Sequence, residues 1–285
     1  MRKVRRTRKW INNCNVVISG VSSGIGRDLA RLLVTKYGCK VFGIARSVPK
    51  LDALKAELGD KFDFISADVS SADAWNVIAV RLAGQDFCPD ILINNAGIIH
   101  PFVKFCSMDF EEAKRVLDTN FYSVLYAVRA LKPLLDKSPR RAIVNVASAS
   151  AYLSVAGQAI YSASKSAVLA FSEALKQELD GEGYYVGAVM PGPVKTDLYE
   201  VRGSATHEKK VKDDTVANVG ITSKKCARRI VNAMRRRKFR ISTDLVAKMM
   251  SLGYRVMPTA ILKLISWGSR KVRLATFRDI YKDEI

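Results

Sequence analysis

Histidine is nearly absent from this chain. His100 and His207 are the only two among 285 residues, and no Cys/His cluster forms around them. The five cysteines, Cys14, Cys39, Cys88, Cys106 and Cys226, are odd in number and scattered, with no pair at metal-ligand or redox spacing. A zinc site is therefore not expected and no metal is assigned. Thiols distributed in this way suit a reducing, cytoplasmic setting. Long apolar runs are missing too. Nowhere do about eighteen apolar residues follow one another, so no transmembrane helix is expected. The opening MRKVRRTRKW lacks the apolar stretch of a secretory signal. No internal repeat or low-complexity segment stands out.

Acid is the remaining scarcity. The chain has 47 Lys and Arg against 27 Asp and Glu, a net charge of +20. The excess lies at the ends. Residues 1–10 hold six basic side chains and no acid, and residues 224–285 hold seventeen basic and four acidic ones. The body, 11–223, is near neutral, with twenty-four basic and twenty-three acidic residues. Such ends are either solvated tail and helix surface or are drawn to an anionic surface or cofactor. Nucleic acid is the obvious rival partner, but no helix-turn-helix, zinc-finger or RRM signature supports it.

What is present is a regular alternation of short apolar runs and helical patterns. Strands are expected at 15–19 (NVVIS), 40–44, 62–67, 91–93, 142–146 (AIVNV), 185–189 and 239–243. Helices are expected at 25–37, 51–58, 72–82, 110–135, 162–179 and 223–238, the 110–135 helix bent or weakened near Pro133. A last helix starting at Pro258 carries Ile261, Leu264 and Ile265 on one face. Strands alternating with helices of this length predict an α/β fold: a doubly wound, Rossmann-like parallel sheet of about seven strands with helices on both faces. The organisation expected is a basic segment (1–12), a dinucleotide-binding catalytic domain (13–243) and a C-terminal helical extension of that domain (244–285). Residues 198–222 are polar, irregular and too long for an ordinary connection, which marks a substrate loop.

After the first strand stands Gly20-Val21-Ser22-Ser23-Gly24-Ile25-Gly26, opening a helix. Glycines there permit a tight turn and close approach of a pyrophosphate, and the helix N-terminus offers free N–H groups and a positive dipole. The spacing is G-x-x-x-G-x-G. The second strand ends at Ala45-Arg46-Ser47. An NAD enzyme places a carboxylate there for the ribose hydroxyls, whereas an arginine can meet a 2′-phosphate. NADPH is therefore the expected cofactor, with neutral help from Ser22 or Ser47.

Tyr161 and Lys165 lie four apart at the start of a helix, on one face. A free phenol titrates near 10 and is a poor acid at neutral pH. A nearby ammonium favours the phenolate and lowers that value. Ser148 ends the fifth strand, and its hydroxyl can polarise a carbonyl oxygen.

Together these motifs resemble the short-chain dehydrogenase/reductase family over roughly residues 15–199. The family's glycine motif matches Gly20, Gly24 and Gly26, with Ser19 in the usual threonine place. Its adenine-contacting pair matches Asp68 and Val69, and its Asn-Asn-Ala-Gly motif matches Asn94, Asn95, Ala96 and Gly97. The catalytic asparagine falls on Asn120, and the serine, tyrosine and lysine on Ser148, Tyr161 and Lys165. The Pro-Gly segment that covers the nicotinamide matches Pro191, Gly192, Val194 and Thr196, stiffened here by Pro193. The resemblance implies hydride transfer to a carbonyl carbon while Tyr161 gives a proton. It further implies that Lys165 holds the nicotinamide ribose and lowers the Tyr161 pKa, and that Asn120 fixes a water linking Lys165 to solvent. It also implies a homodimer or homotetramer formed through the helices at 110–135 and 162–179, for which Phe121, Val124, Leu125 and Val128 offer an apolar stretch.

The substrate side is less legible. Ile99, His100, Ser150, Leu153, Gln158 and the loop from Leu198 are expected to face it, His100 either as a polar contact or simply as a surface histidine. Lipid, ketoacyl and steroid compounds all remain open as substrates. The basic, apolar tail either lies on an anionic membrane surface as a peripheral contact or closes the enzyme's own cleft. A non-catalytic NADPH-binding regulator is a further reading, against which the intact Asn-Ser-Tyr-Lys set argues.

Overall fold

The computed structural model describes residues 9–196, 220–271 and Ile280. Seven strands form its sheet: β1 (Asn15–Ser19), β2 (Lys40–Ala45), β3 (Phe62–Ser66), β4 (Ile91–Asn94), β5 (Ala142–Val146), β6 (Tyr185–Met190) and β9 (Arg240–Ser242). Their order is β3-β2-β1-β4-β5-β6-β9 and every neighbouring pair is parallel. Parallel strands covered on both faces read as nearly unbroken apolar runs, and β4, β5 and β6 are buried at every position.

Successive side chains of a strand point to opposite faces, and the core divides accordingly. Val16 and Ile18 of β1 face one layer, built with α1 (Gly24–Tyr37), α2 (Val48–Leu58) and α7 (Ser223–Met234). Val17 faces the other, built with α3 (Ala72–Gly84), α5 (Ser123–Leu135) and α6 (Ala159–Glu178). The order reverses between β1 and β4. There the crevice beyond the carboxyl ends of the strands opens, and that is where doubly wound sheets bind their ligands.

Four expectations need correction. The helix at 110–135 is α4 (Phe110–Leu117) and α5 joined by a five-residue π segment, Asp118–Tyr122. Pro133 is exposed, and α5 continues through it to Leu135. The basic N-terminal segment is not simply solvated from residue 9 onward. Ile11 is fully buried, the Trp10 indole donates to the Met234 carbonyl (3.3 Å), and Arg140 donates to the carbonyls of Trp10 (3.3 Å) and Asn12 (2.8 Å). The loop expected at 198–222 ends earlier, because Ile221–Thr222 form β8, parallel to β7 (Val194–Lys195); residues 198–219 lie outside the described ones. Finally, the tail holds two helices, α8 (Leu245–Val256) and α9 (Pro258–Lys271), of which only the second was expected.

Candidate active site

The glycine loop is built by a reciprocal stitch between β1 and β4. The Ser19 hydroxyl accepts the N–H groups of Asn95 (3.0 Å) and Ala96 (3.1 Å), and the Asn95 amide donates to the carbonyls of Ser19 (3.0 Å) and Gly20 (3.1 Å). Serine thus serves here with the same hydroxyl a threonine would offer. A Cβ on Gly26 would lie 2.2 Å from the Gly20 oxygen and 2.5 Å from the Asn95 amide nitrogen, so only glycine lets α1 start this close. Ser23 makes no side-chain cap and the first turn of α1 contains no acid, which leaves its N–H groups and positive end facing the crevice with Ser22, Ser23 and Ile25 around it. Thr196 closes on the same turn, 3.0 Å from where a Gly24 Cβ would be.

Arg46 stands exposed just beyond β2, and its carbonyl accepts the Ser66 hydroxyl (3.0 Å). Asp68 follows β3. Burial works against its charge, but the N–H and O–H of Ser70 and the nearby Arg46 guanidinium outweigh burial and hold the carboxyl below its usual range. Val69 is buried, and its carbonyl takes the Trp75 indole N–H (2.9 Å).

Tyr161, Lys165 and Ser148 converge at the end of β5. The Ser148 hydroxyl is near enough to the Tyr161 phenol to bear on its charge, and the Lys165 ammonium donates to the Val146 carbonyl (3.1 Å), 5.9 Å from the Tyr161 ring centre. Gly97 passes directly beside them, its Cβ position 3.0 Å from Lys165 Nζ and 3.2 Å from Asn120 Oδ1. The electrostatics differ from the sequence expectation. Burial pushes the Tyr161 phenol up, with the Ser148 hydroxyl only partly offsetting it, and burial lowers Lys165 to about 8. The ammonium therefore does not dominate the phenol; desolvation acts on both.

Asn120 lies in the π segment, fully buried. Its amide accepts from Ile98 N (2.8 Å) and donates to Ile98 O (2.9 Å) and the Ser164 hydroxyl (3.0 Å). The side chain braces the 97–98 turn against α6. His100 is not a surface histidine. It is buried, Nδ1–H donates to the Pro101 carbonyl (2.6 Å), and Nε2 accepts the Tyr161 N–H (3.4 Å). These partners require the neutral ring, and burial lowers its pKa accordingly. Ile99, Leu153 and Gln158 are buried and Ser150 half-buried.

One residue of this region escaped sequence reasoning. Asp244 is buried and accepts the Gly192 N–H (2.9 Å), the Thr243 hydroxyl (2.9 Å) and, as the N-cap of α8, the Ala247 N–H (2.8 Å). A Cβ on Gly192 would meet its carboxylate at 2.5 Å. The Pro191–Thr196 segment is thus fixed from behind by the first residue of the C-terminal arm. The only sequence signal was an Asp before a helical pattern.

The depressed Lys165 pKa makes a prediction. Its ordinary value is 10.5 and its folded value about 8. Below about 8 both states carry the proton, and the penalty of burying the charge is fully present. Between the two values the unfolded chain binds more protons, so stability rises with pH; above 10.5 the penalty is gone. Urea unfolding across this window should show the wild type gaining stability relative to Lys165→Met. A constant difference between the two proteins would show that Lys165 titrates normally.

The short chain dehydrogenase family model matches residues 14–206. An NADPH-dependent pterin aldehyde reductase of Arabidopsis thaliana is 37% identical over 185 residues, 64% of this chain and 76% of that protein. The human very-long-chain 3-oxoacyl-CoA reductase is 33% identical over 194 residues, 65% of this chain and 61% of its own length. Among solved structures, a short-chain dehydrogenase from Streptomyces avermitilis superimposes with a TM-score of 0.75 at 27% identity, covering 91% of this chain and 98% of that one. One from Sphingobium yanoikuyae, in complex with NADPH, gives 0.71 at 26% identity, covering 89% and 95%. Because the family model spans most of the chain, and the sheet, glycine loop and C-terminal strand ends are arranged to match, this chain belongs to the short chain dehydrogenase family of oxidoreductases.

Proposed function

We propose that this protein is an NADPH-dependent reductase that converts a ketone on a hydrophobic substrate to a secondary alcohol, or runs the reverse oxidation. The observation that carries the reading is the convergence of Ser148, Tyr161 and Lys165 at the end of β5, beside the uncapped first turn of α1. The residues present fit a dinucleotide. The open first turn of α1, with Ser22, Ser23 and Gly24, suits a pyrophosphate. Asp68 and Val69 would meet the adenine, Asn95 to Gly97 would floor the crevice, and Pro191 to Thr196 would cover it. Arg46 favours the 2′-phosphate. The Arabidopsis relative is NADPH-dependent by name, and the Sphingobium structure is an NADPH complex.

When bound, the nicotinamide supplies the hydride. The chain's own residues do the rest. Ser148 and Tyr161 hydrogen-bond the substrate oxygen, and Tyr161 gives it a proton. Lys165 presents a positive charge toward the phenol and the ribose. Asn120 keeps the 97–98 turn and α6 at a fixed distance, so Lys165 stays aligned. The hydrophobic substrate class rests on the apolar walls, Ile99 and Leu153, and on the likeness to a 3-oxoacyl-CoA reductase.

Tyr161→Phe keeps the ring and removes the proton. Turnover of any accepted ketone should fall by at least ~100-fold, with NADPH binding little changed; near-normal turnover would refute the assignment. Arg46→Ala tests cofactor choice. A charge-assisted contact with the 2′-phosphate is worth roughly 1.5–3 kcal/mol, about a ten- to hundredfold preference. Arg46 is exposed, so the lower end is expected. Steady-state kinetics should show a lower KM for NADPH than for NADH, with the gap mostly erased in Arg46→Ala and narrowed at high salt. Equal use of the two by the wild type would remove Arg46 from the site.

A homodimer or homotetramer belongs to the same reading. Val124 and Val128 are buried in the protomer's own core, which leaves Phe121, Leu125 and the stacked Tyr122–Tyr126 pair (6.2 Å) as the outward surface. Light scattering at micromolar concentration should show more than the 31.6 kDa species.

A further inference from the structure

The C-terminal helices turn their apolar side chains outward. On α8, Leu245, Met249, Leu252 and Val256 follow at intervals of four, three and four, a single stripe of a helix. In a helix that packs by its apolar face this stripe would be covered. Here its members are 69%, 62%, 65% and 65% exposed. Exposed Leu262, Leu264 and Trp267 continue the array on α9. The two helices touch closely, Gly253 lying against Ile261, so they form one body. Isolated apolar side chains on a surface need no explanation, but an array of this length marks a contact site.

Charge decides what covers it. From Leu245 to Lys271 there are five Lys and Arg and no Asp or Glu. Two copies joined through this face would bring like charges together. An anionic surface would gain from every one of them. Beside the first turn of α8 opens a cleft of about 530 Å³ whose charged lining is Arg229, Arg236, Lys238, Arg240, Lys248 and Asp244. Arg240 pairs with Glu173, and Arg229 donates to the Thr243 carbonyl. Arg236, Lys238 and Lys248 have no carboxylate partner among the described residues. Leu245 and Lys248 line this cleft and also stand on the exposed helix. A recess of unpaired cations next to an exposed apolar stripe has the two-part chemistry of an anionic lipid: phosphate in the recess, acyl chains along the helices.

We propose that α8 and α9 dock this protein on an anionic bilayer, with the cleft taking a lipid phosphate headgroup. The docking itself stands on the surface alone. Its consequence for catalysis rests on the reductase reading: α8 packs on the turn at Ala149–Ala151 that follows Ser148, so a bilayer-borne ketone would arrive beside the hydroxyl pair.

Flotation of the full chain with vesicles tests this, using phosphatidylcholine alone and with about a third phosphatidylserine. Binding to the anionic vesicles should be at least tenfold tighter. Leu252→Asp with Leu264→Asp should abolish it. Arg236→Glu with Lys248→Glu should erase the preference for phosphatidylserine, as should roughly 1 M salt, where charges are screened within ~3 Å. Unchanged melting temperatures would certify that both double variants fold. No flotation with either vesicle, or binding indifferent to Leu252→Asp with Leu264→Asp, would overturn the proposal. So would light scattering in which that pair turns a larger assembly into a monomer, since a second copy would then cover the face. Turnover of a water-soluble ketone with NADPH, measured without vesicles, reports separately on the reductase reading.

Discussion

Two neighbouring strands in the middle of the sheet carry an asparagine where the surrounding side chains are apolar. Asn94 of β4 sits opposite Asn145 of β5 in the ladder, and its amide donates to the Asn145 oxygen (2.8 Å). Asn145 donates in turn to the Ser172 hydroxyl of α6 (2.9 Å), which passes its own proton to the Val168 carbonyl (2.6 Å). Asn145 and Ser172 are fully buried. A polar chain in such a place is expensive if any link fails, because water cannot replace the lost partner. It therefore penalises a slip of β4 against β5 and a rotation of α6 alike. Since α6 carries Tyr161 and Lys165, and β5 leads into Ser148, this one chain ties together the elements that bear the groups of the proposed chemistry.

The same burial sets the chemistry's starting point. Tyr161 and Lys165 share an environment that favours the uncharged form of each. In the proposed reduction, with Tyr161 as proton donor, the phenol starts intact, and burial favours that form. His100 adds to it from the other side. Its neutral ring caps the Tyr161 N–H, so the Tyr161 backbone is held by a group that burial itself favours uncharged.

Much of this was legible in the residues because it follows from local rules. The strands announced themselves through β-branched runs, α1 through its glycines, and the Tyr161–Lys165 pair through helical spacing. What the sequence hid were the contacts made across long separations. Nothing local says that Asp244 reaches back to Gly192, that His100 folds under Tyr161, or that the Asn120 amide is spent on Ile98. The π segment was also hidden, because no residue type in Asp118–Tyr122 marks a widened turn.

The extra residue of the π segment has a consequence for how the chain can vary. A regular helix from Phe110 to Leu135 would need one residue fewer to keep both ends in place. Deleting one position between Asp118 and Tyr122 would therefore leave a regular helix with its two ends still in phase. Leu131 and Leu135, fully buried, would keep the layer they share with α3. What would go is the wide turn that carries Asn120, and with it the brace on the 97–98 turn. A deletion elsewhere in α4 or α5, with the wide turn kept, would instead rotate all that follows by about 100° about the helix axis. The extra residue is a local allowance: it widens one turn to place one amide and leaves the flanking helices their registers against the sheet.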